Sequence, residues 1–261
     1  MLTQKFLKNE SLKCINKFAL IKNNINYFKN PFQHLIIDNF FSSKLANLCL
    51  KNFPLKNSSS WIASNDEGIE IKKRSNWKSE FDIPEGIVGA VRILNSSIFL
   101  KEIAKIFKIH KIIPDPYFTG GGLNLTAKNG LLDVHIDGNF HDATDLHRRL
   151  NALIFLNKNW QKSWKGELGL YDKKGKECLK KIEPVFNRLV VFETHDYSFH
   201  GLPDPLNFPN TNSRKSIILY YYTKANKSKK HTSVSKPHSA LWVKKGLLDK
   251  KGRKVRKIFK I

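Results

Sequence analysis

His135-Ile136-Asp137, followed far downstream by Phe199-His200-Gly201 and then Arg214-Lys215-Ser216, decides how this chain is read. Side chains two apart on an extended strand share a face, so His135 and Asp137 point one way while Val134 and Ile136 point the other. Two imidazoles and one carboxylate on the inner side of a small β barrel make a three-ligand face around a metal. The opposite coordination positions stay open, which suits non-haem Fe(II) with a co-substrate and O2. The third ligand can come from any later strand that folds back opposite. Taken alone, His-x-Asp is weak in a chain with nine histidines. A strand-end histidine bonded to a neighbouring carboxylate is the competing reading of His135 by itself.

The segment Asn212-Ser213-Arg214-Lys215-Ser216-Ile217-Ile218-Leu219-Tyr220-Tyr221-Tyr222-Thr223 is the strongest strand signal, rich in β-branched and aromatic residues. Alternation puts Arg214, Ser216, Ile218, Tyr220 and Tyr222 on one face, with Lys215, Ile217, Leu219 and Tyr221 on the other. Both faces turn apolar after the first few residues, so the strand is expected to be buried on two sides, as inside a sandwich. A guanidinium and a hydroxyl on the inner face need an anionic partner, because an unpaired buried charge is costly. The far carboxylate of a dicarboxylic co-substrate fits, taking a bidentate arginine bond and the serine hydroxyl. A structural ion pair for Arg214 is the alternative.

These residues carry a resemblance. Gly120-Gly121-Gly122-Leu123-Asn124, His135-Ile136-Asp137-Gly138-Asn139, Arg148 through Asn157, Pro184 through Thr194, Ser198-Phe199-His200-Gly201 and Ser213-Arg214-Lys215-Ser216 stand in one order. Over about residues 115 to 224 the chain resembles the catalytic core of 2-oxoglutarate/Fe(II)-dependent oxygenases of the prolyl-4-hydroxylase-like branch. The resemblance implies a mainly β protein with flanking helices (α+β), built on a double-stranded β-helix, a jelly-roll or cupin-like core. It implies His135, Asp137 and His200 as iron ligands, and Arg214 with Ser216 on the 2-oxoglutarate C5 carboxylate. Asn124 stands where relatives often have histidine and is a candidate for the co-substrate pocket. Fe(II), 2-oxoglutarate and O2 follow as the cofactor set, with ascorbate as a candidate reductant. The implied chemistry is oxidative decarboxylation to succinate and CO2 coupled to hydroxylation of a substrate C–H bond. His195 competes with His200 as third ligand, whereas His141 and His147 are expected at the surface or behind the site.

The remaining sequence fits a single oxygenase domain over 31–243, preceded by a peripheral, lysine-rich helical extension over 1–30 and followed by a basic tail over 244–261. Pro31 to Asp38 reads as an entering strand. Ser42 or Ser43 caps a helix that stops before Pro54, and Glu85 to Phe107 has helical spacing. These N-terminal helices are expected to buttress one outer face of the β core. The polar segment from Asp66 to Lys78 is expected to overhang the pocket mouth, and His238 to Trp242 to dock on the core. Cys14, Cys49 and Cys178 offer neither a disulfide framework nor metal spacing, which points to a reducing, cytoplasmic setting. No apolar run reaches membrane-spanning length. The net charge of +24 raises a nucleic-acid partner, but the excess is mostly lysine and spread along the chain. Base and phosphate recognition leans on arginine forks, so that partner is weakly supported.

The substrate is the open question: peptidyl proline or another protein side chain comes first, and a small molecule or glycan precursor second. A zinc hydrolase would also accept two histidines and an aspartate, and some jelly rolls bind without turnover. A carboxylate clamp at Arg214 and Ser216 discriminates against the first, and three ligands kept in order discriminate against the second.

Overall fold

The computed structural model of the chain describes residues 2–18, 27–66, 68–224, 236–249 and 251. The helices are α1 (Gln4–Asn16), α2 (Ser43–Lys51), α3 (Glu85–Leu94) and α4 (Ser97–Ile106). The early strands are β1 (Tyr27–Phe28), β2 (His34–Ile37), β3 (Trp61–Asp66), β4 (Glu70–Ser75) and β5 (Ile113–Pro114). Then follow β6 (Gly122–Thr126), β7 (Leu131–Ile136), β8 (Phe140–His141), β9 (Leu146–Phe155) and β10 (Leu168–Tyr171). The chain continues through β11 (Cys178–Ile182), β12 (Arg188–Glu193), β13 (His200–Leu202), β14 (Arg214–Lys224) and β15 (Leu241–Trp242).

One antiparallel layer runs β1-β2-β12-β9-β14-β6 and a second runs β7-β13-β10-β11. This interleaving of early and late strands across two facing layers is the double-stranded β-helix, as expected. The hairpin partner β4 joins the layers, pairing with β6 through Lys73 and Arg74 and with β7 through Glu70 and Ile71. The polar segment after Asp66 is therefore a strand of the core wall over Glu70–Ser75 rather than an overhang. Its charged side chains had hidden it from a reading based on apolar alternation.

Between the layers lies an apolar cluster of Phe32, Leu153, Phe155, Leu168, Leu170 and their neighbours. Alternate residues of β9 and β14, among them Leu150, Ala152, Ile154, Ile217, Leu219 and Tyr221, face the other way onto the helices. All of α1 to α4 contribute to that second cluster, through Leu7, Leu45, Ile87 and Phe99 among others. Phe40, Phe99 and Tyr221 are fully buried there, and truncating such an aromatic costs about 3–5 kcal/mol.

The expected first helix after the entering strand is capped by Ser42, whose Oγ accepts the Leu45 N–H at 3.3 Å. The stretch expected as one helix from Glu85 is two. Ser96 ends the run and caps α4, its Oγ accepting the Phe99 N–H at 3.2 Å, so local capping won over continuous apolar spacing. The end of the expected basic tail, 252–261, lies outside the described residues. Residues 238–242 dock on β7, as expected.

Candidate functional site

His135 stands near the end of β7, and Asp137 follows just past it. Val134 and Ile136 pack outward with Tyr171, Phe199 and Leu241, which leaves His135 on the inner face. β13 lies beside β7 with His200 directly opposite His135. One ligand-type atom from each of His135, Asp137 and His200 falls within 4.8 Å of the other two. Nε2 of His135 is 3.6 Å from Oδ1 of Asp137, and Nε2 of His200 is 3.6 Å from Oδ2.

The tautomers follow from the neighbours. Nδ1 of His135 meets the Asp133 carbonyl at 2.8 Å, and Nδ1 of His200 meets the Ser198 carbonyl at 2.9 Å. A carbonyl only accepts, so each Nδ1 carries the hydrogen and each Nε2 offers a lone pair. Two lone pairs and a carboxylate then face one another with no proton between them, and a divalent cation is the group that relieves this. Burial, then the neighbouring His135, lowers the His200 pKa to about 4, so its imidazole is neutral and ready to ligate at physiological pH. Burial alone would raise the Asp137 carboxyl, but its surroundings, including the Arg148 guanidinium, outweigh it and hold it well below the usual range.

Arg214, Ser216 and Asn124 form a second group. Arg214 and Ser216 share the inner face of β14, and Asn124 of β6 sits directly opposite Ser216. All three residues are buried, at 4%, 0% and 5% exposure. The Arg214 guanidinium lies over the Phe155 ring, and its Nε donates to the Gly166 carbonyl at 2.8 Å. Nη2 of Arg214, Oγ of Ser216 and Nδ2 of Asn124 have no hydrogen-bond partner among the described residues. Burial drives the arginine pKa down to about 10, with Glu167 only partly opposing it. Three orphaned polar groups, two of them obligatory donors, fit an acceptor-only carboxylate, which is the chemistry of a dicarboxylic co-substrate.

Residue type alone gives Arg148 no role at the site. Strand β9 carries an extra residue: Tyr221 pairs with Leu150 and Tyr222 with Arg148, so Arg149 is bulged out of register. Simple alternation from Asn151 would turn Arg148 outward; the bulge turns it in. Its guanidinium stacks on the Tyr220 ring at 3.8 Å, donates to the Tyr222 hydroxyl at 3.2 Å and approaches Asp137 at 3.7 Å. Asn151 also donates from its amide to Asp137, and Thr194 donates to the Asn151 oxygen at 3.2 Å. Alternation does place Asn151 on the inner face, but nothing in the sequence marks it as a partner of Asp137.

The other histidines divide clearly. His195 pairs with Glu193 at 3.2 Å and stacks on Tyr197, away from the triad. His141 is buried against Asp115 at 3.1 Å, so a surface role does not hold, and it holds the loop that carries Tyr117. His147 packs edge-on against Phe140.

A family model described as the 2OG-Fe(II) oxygenase superfamily matches residues 121–222, the stretch that runs from β6 to Tyr222 of β14. The matched stretch spans all three members of the triad and the Arg214 group. Mouse prolyl 3-hydroxylase OGFOD1 is 33% identical over 86 residues, which are 31% of this chain and 15% of that protein, so the match spans a small part of the relative. Among solved structures, a Trichoplax adhaerens prolyl hydroxylase in complex with a hypoxia-inducible-factor peptide fragment aligns with TM-score 0.54 and 22% identity. That alignment covers 84% of this chain and 93% of the other. A Pseudomonas putida prolyl-4-hydroxylase aligns with TM-score 0.51 and 15% identity over 83% of this chain and 99% of the other. At these identities the likeness is one of fold. The cofactors of the superfamily are Fe(II), 2-oxoglutarate and O2, and the donor sets described above suit the first two.

Proposed function

We propose that the protein is a 2-oxoglutarate-dependent hydroxylase that uses Fe(II) and O2 and acts on a proline or another side chain of a protein. The observation that carries this reading is the pairing of two donor sets on one inner wall. A two-histidine, one-carboxylate face stands beside a buried guanidinium, hydroxyl and amide without partners. A zinc hydrolase has a use for the first set and none for the second.

In this reading His135, Asp137 and His200 hold the iron, and Arg214, Ser216 and Asn124 hold the far carboxylate of 2-oxoglutarate. Iron with 2-oxoglutarate and O2 supplies an oxidant for a C–H bond, with release of succinate and CO2. The chain's own contribution is placement. Arg214 fixes the co-substrate through a charge-assisted bond in a site closed by Phe155. Asn151 and Arg148 orient the Asp137 carboxylate. Buried Tyr222 and His141 connect Arg148 to Tyr117, which is 54% exposed. An aromatic wall ending in a cation suits a peptide segment with a proline ring, whose apolar face packs on tyrosine while its carbonyl accepts from arginine. The prolyl hydroxylases named above support the same substrate class.

Among the described residues no helix is long and apolar enough to cross a membrane. Cys14, Cys49 and Cys178 are free thiols, which agrees with a reducing, cytoplasmic setting. The test is succinate release with Fe(II), 2-oxoglutarate and O2 across a panel of proline-containing peptides and their alanine counterparts. The reading expects turnover that depends on proline, with one oxygen atom added to the peptide. Turnover that a small molecule or glycan stimulates and no peptide does would refute the protein-substrate assignment.

A further inference from the structure

Residues 236–249 follow the family-matched segment, yet they reach its metal face. β15 pairs with β7 at two positions, Leu241 against Ile136 and Trp242 against His135. The Trp242 indole stacks on the His135 imidazole, with ring centroids 4.6 Å apart and planes at 24°. Trp242 is 3% exposed.

The same segment is tied to several elements around the triad. On β7, the Val243 N–H donates to the Val134 carbonyl at 2.9 Å and the Lys244 N–H to the Asp133 carboxylate at 3.0 Å. Asp133 is also the residue whose carbonyl takes the His135 Nδ1 hydrogen. His238 and Asn139 exchange two bonds, the Asn139 N–H to the His238 carbonyl at 3.2 Å and the His238 N–H to Oδ1 of Asn139 at 3.0 Å. Nε2 of His238 meets Asp196 at 3.0 Å, in the loop that leads to His200. Lys245 pairs with Asp66 at the tip of the β3–β4 hairpin at 3.1 Å. The approach is close: a Cβ on Gly138 would lie 3.0 Å from the His238 carbonyl oxygen.

We infer that Trp242 is a positioning residue for His135, and that the segment 236–249 completes the metal site. The hydrogen bond from Nδ1 fixes one edge of the imidazole but leaves the ring free to rock about that bond. A planar indole against its face removes that freedom, whereas Phe192 meets His200 tilted by 59°. Partners behind a metal ligand typically account for about 10- to 100-fold in metal affinity. The inference rests on the reading of His135, Asp137 and His200 as a metal site.

The test uses Co(II) with the full-length, chelator-stripped protein, read by the visible d–d absorption and by quenching of tryptophan emission. Wild type is expected to show both. W242F keeps a stacking ring, so its Co(II) affinity should stay within about twofold, while much of the quenching disappears with the indole. W242A should bind Co(II) about tenfold more weakly, with an altered d–d band. Unchanged affinity and spectrum in W242A would overturn the inference. If W242A does not fold, W242F still decides, because quenching equal to wild type would place Trp242 away from the metal. Absence of any Co(II) band in wild type would overturn the metal site itself, and the inference with it.

Discussion

Arg148 reaches Asp137, at 3.7 Å, only because β9 gains one residue at Arg149. Both side chains are nearly buried, at 10% and 11% exposure, so each offsets part of the other's desolvation in the metal-free protein. Burial opposes the arginine's charge, yet Tyr222, Asp137 and Tyr220 raise its pKa above the ordinary value. Asp137→Ala should therefore destabilise the metal-free protein by about 3–5 kcal/mol, since it strands a buried cation. Adding Arg148→Met should recover part of that loss, a coupling that urea titration of both single variants and the double variant would measure. Additive effects would mean that the two groups do not interact.

Arg214 behaves in the opposite sense. Its Nη2 is orphaned and buried, so the arginine costs stability until an anion arrives. Arg214→Met should leave the melting temperature without 2-oxoglutarate unchanged or higher. The upward shift that 2-oxoglutarate produces should vanish, with affinity weaker by about tenfold or more, since one charge-assisted bond contributes about 1.5–3 kcal/mol. Arg214→Lys should restore only part of it, because an ammonium cannot form the fork. An intact thermal shift in Arg214→Met would contradict the assignment.

On β2, paired with Phe192 of β12, His34 provides a pH marker. It is fully buried, and its Nε2 has no partner among the described residues. Desolvation lowers its pKa, against a weaker opposing hydrogen bond to the Phe32 carbonyl. The folded state then holds His34 neutral where the unfolded chain binds a proton, so stability is lost as pH falls below about 6.5. His34→Leu should flatten the decline of stability between about pH 7 and 5. An equally steep decline in the variant would show that other groups carry it.

Much of this arrangement was legible in the chain. Alternation alone put His135 with Asp137 and Arg214 with Ser216, because each pair lies two apart, one across the end of β7 and the other within β14. Arg148 was not legible, since the same alternation sends it outward and a bulge leaves no mark in residue type. The β4 strand was missed because Glu70, Lys72 and Arg74 break the apolar pattern, and its pairing to β6 and β7 is set by tertiary context. Trp242 could be expected to dock, but its contact with His135 joins residues far apart in sequence, and no local rule predicts it.

The central claim is that iron and 2-oxoglutarate meet on this wall. Anaerobic addition of Fe(II) and then 2-oxoglutarate to the metal-free protein tests it directly, by the weak visible metal-to-ligand charge-transfer band. The band should form in wild type, be lost in His135→Ala, and need much higher 2-oxoglutarate in Arg214→Met. A folded, iron-loaded wild type that shows no band would contradict the account.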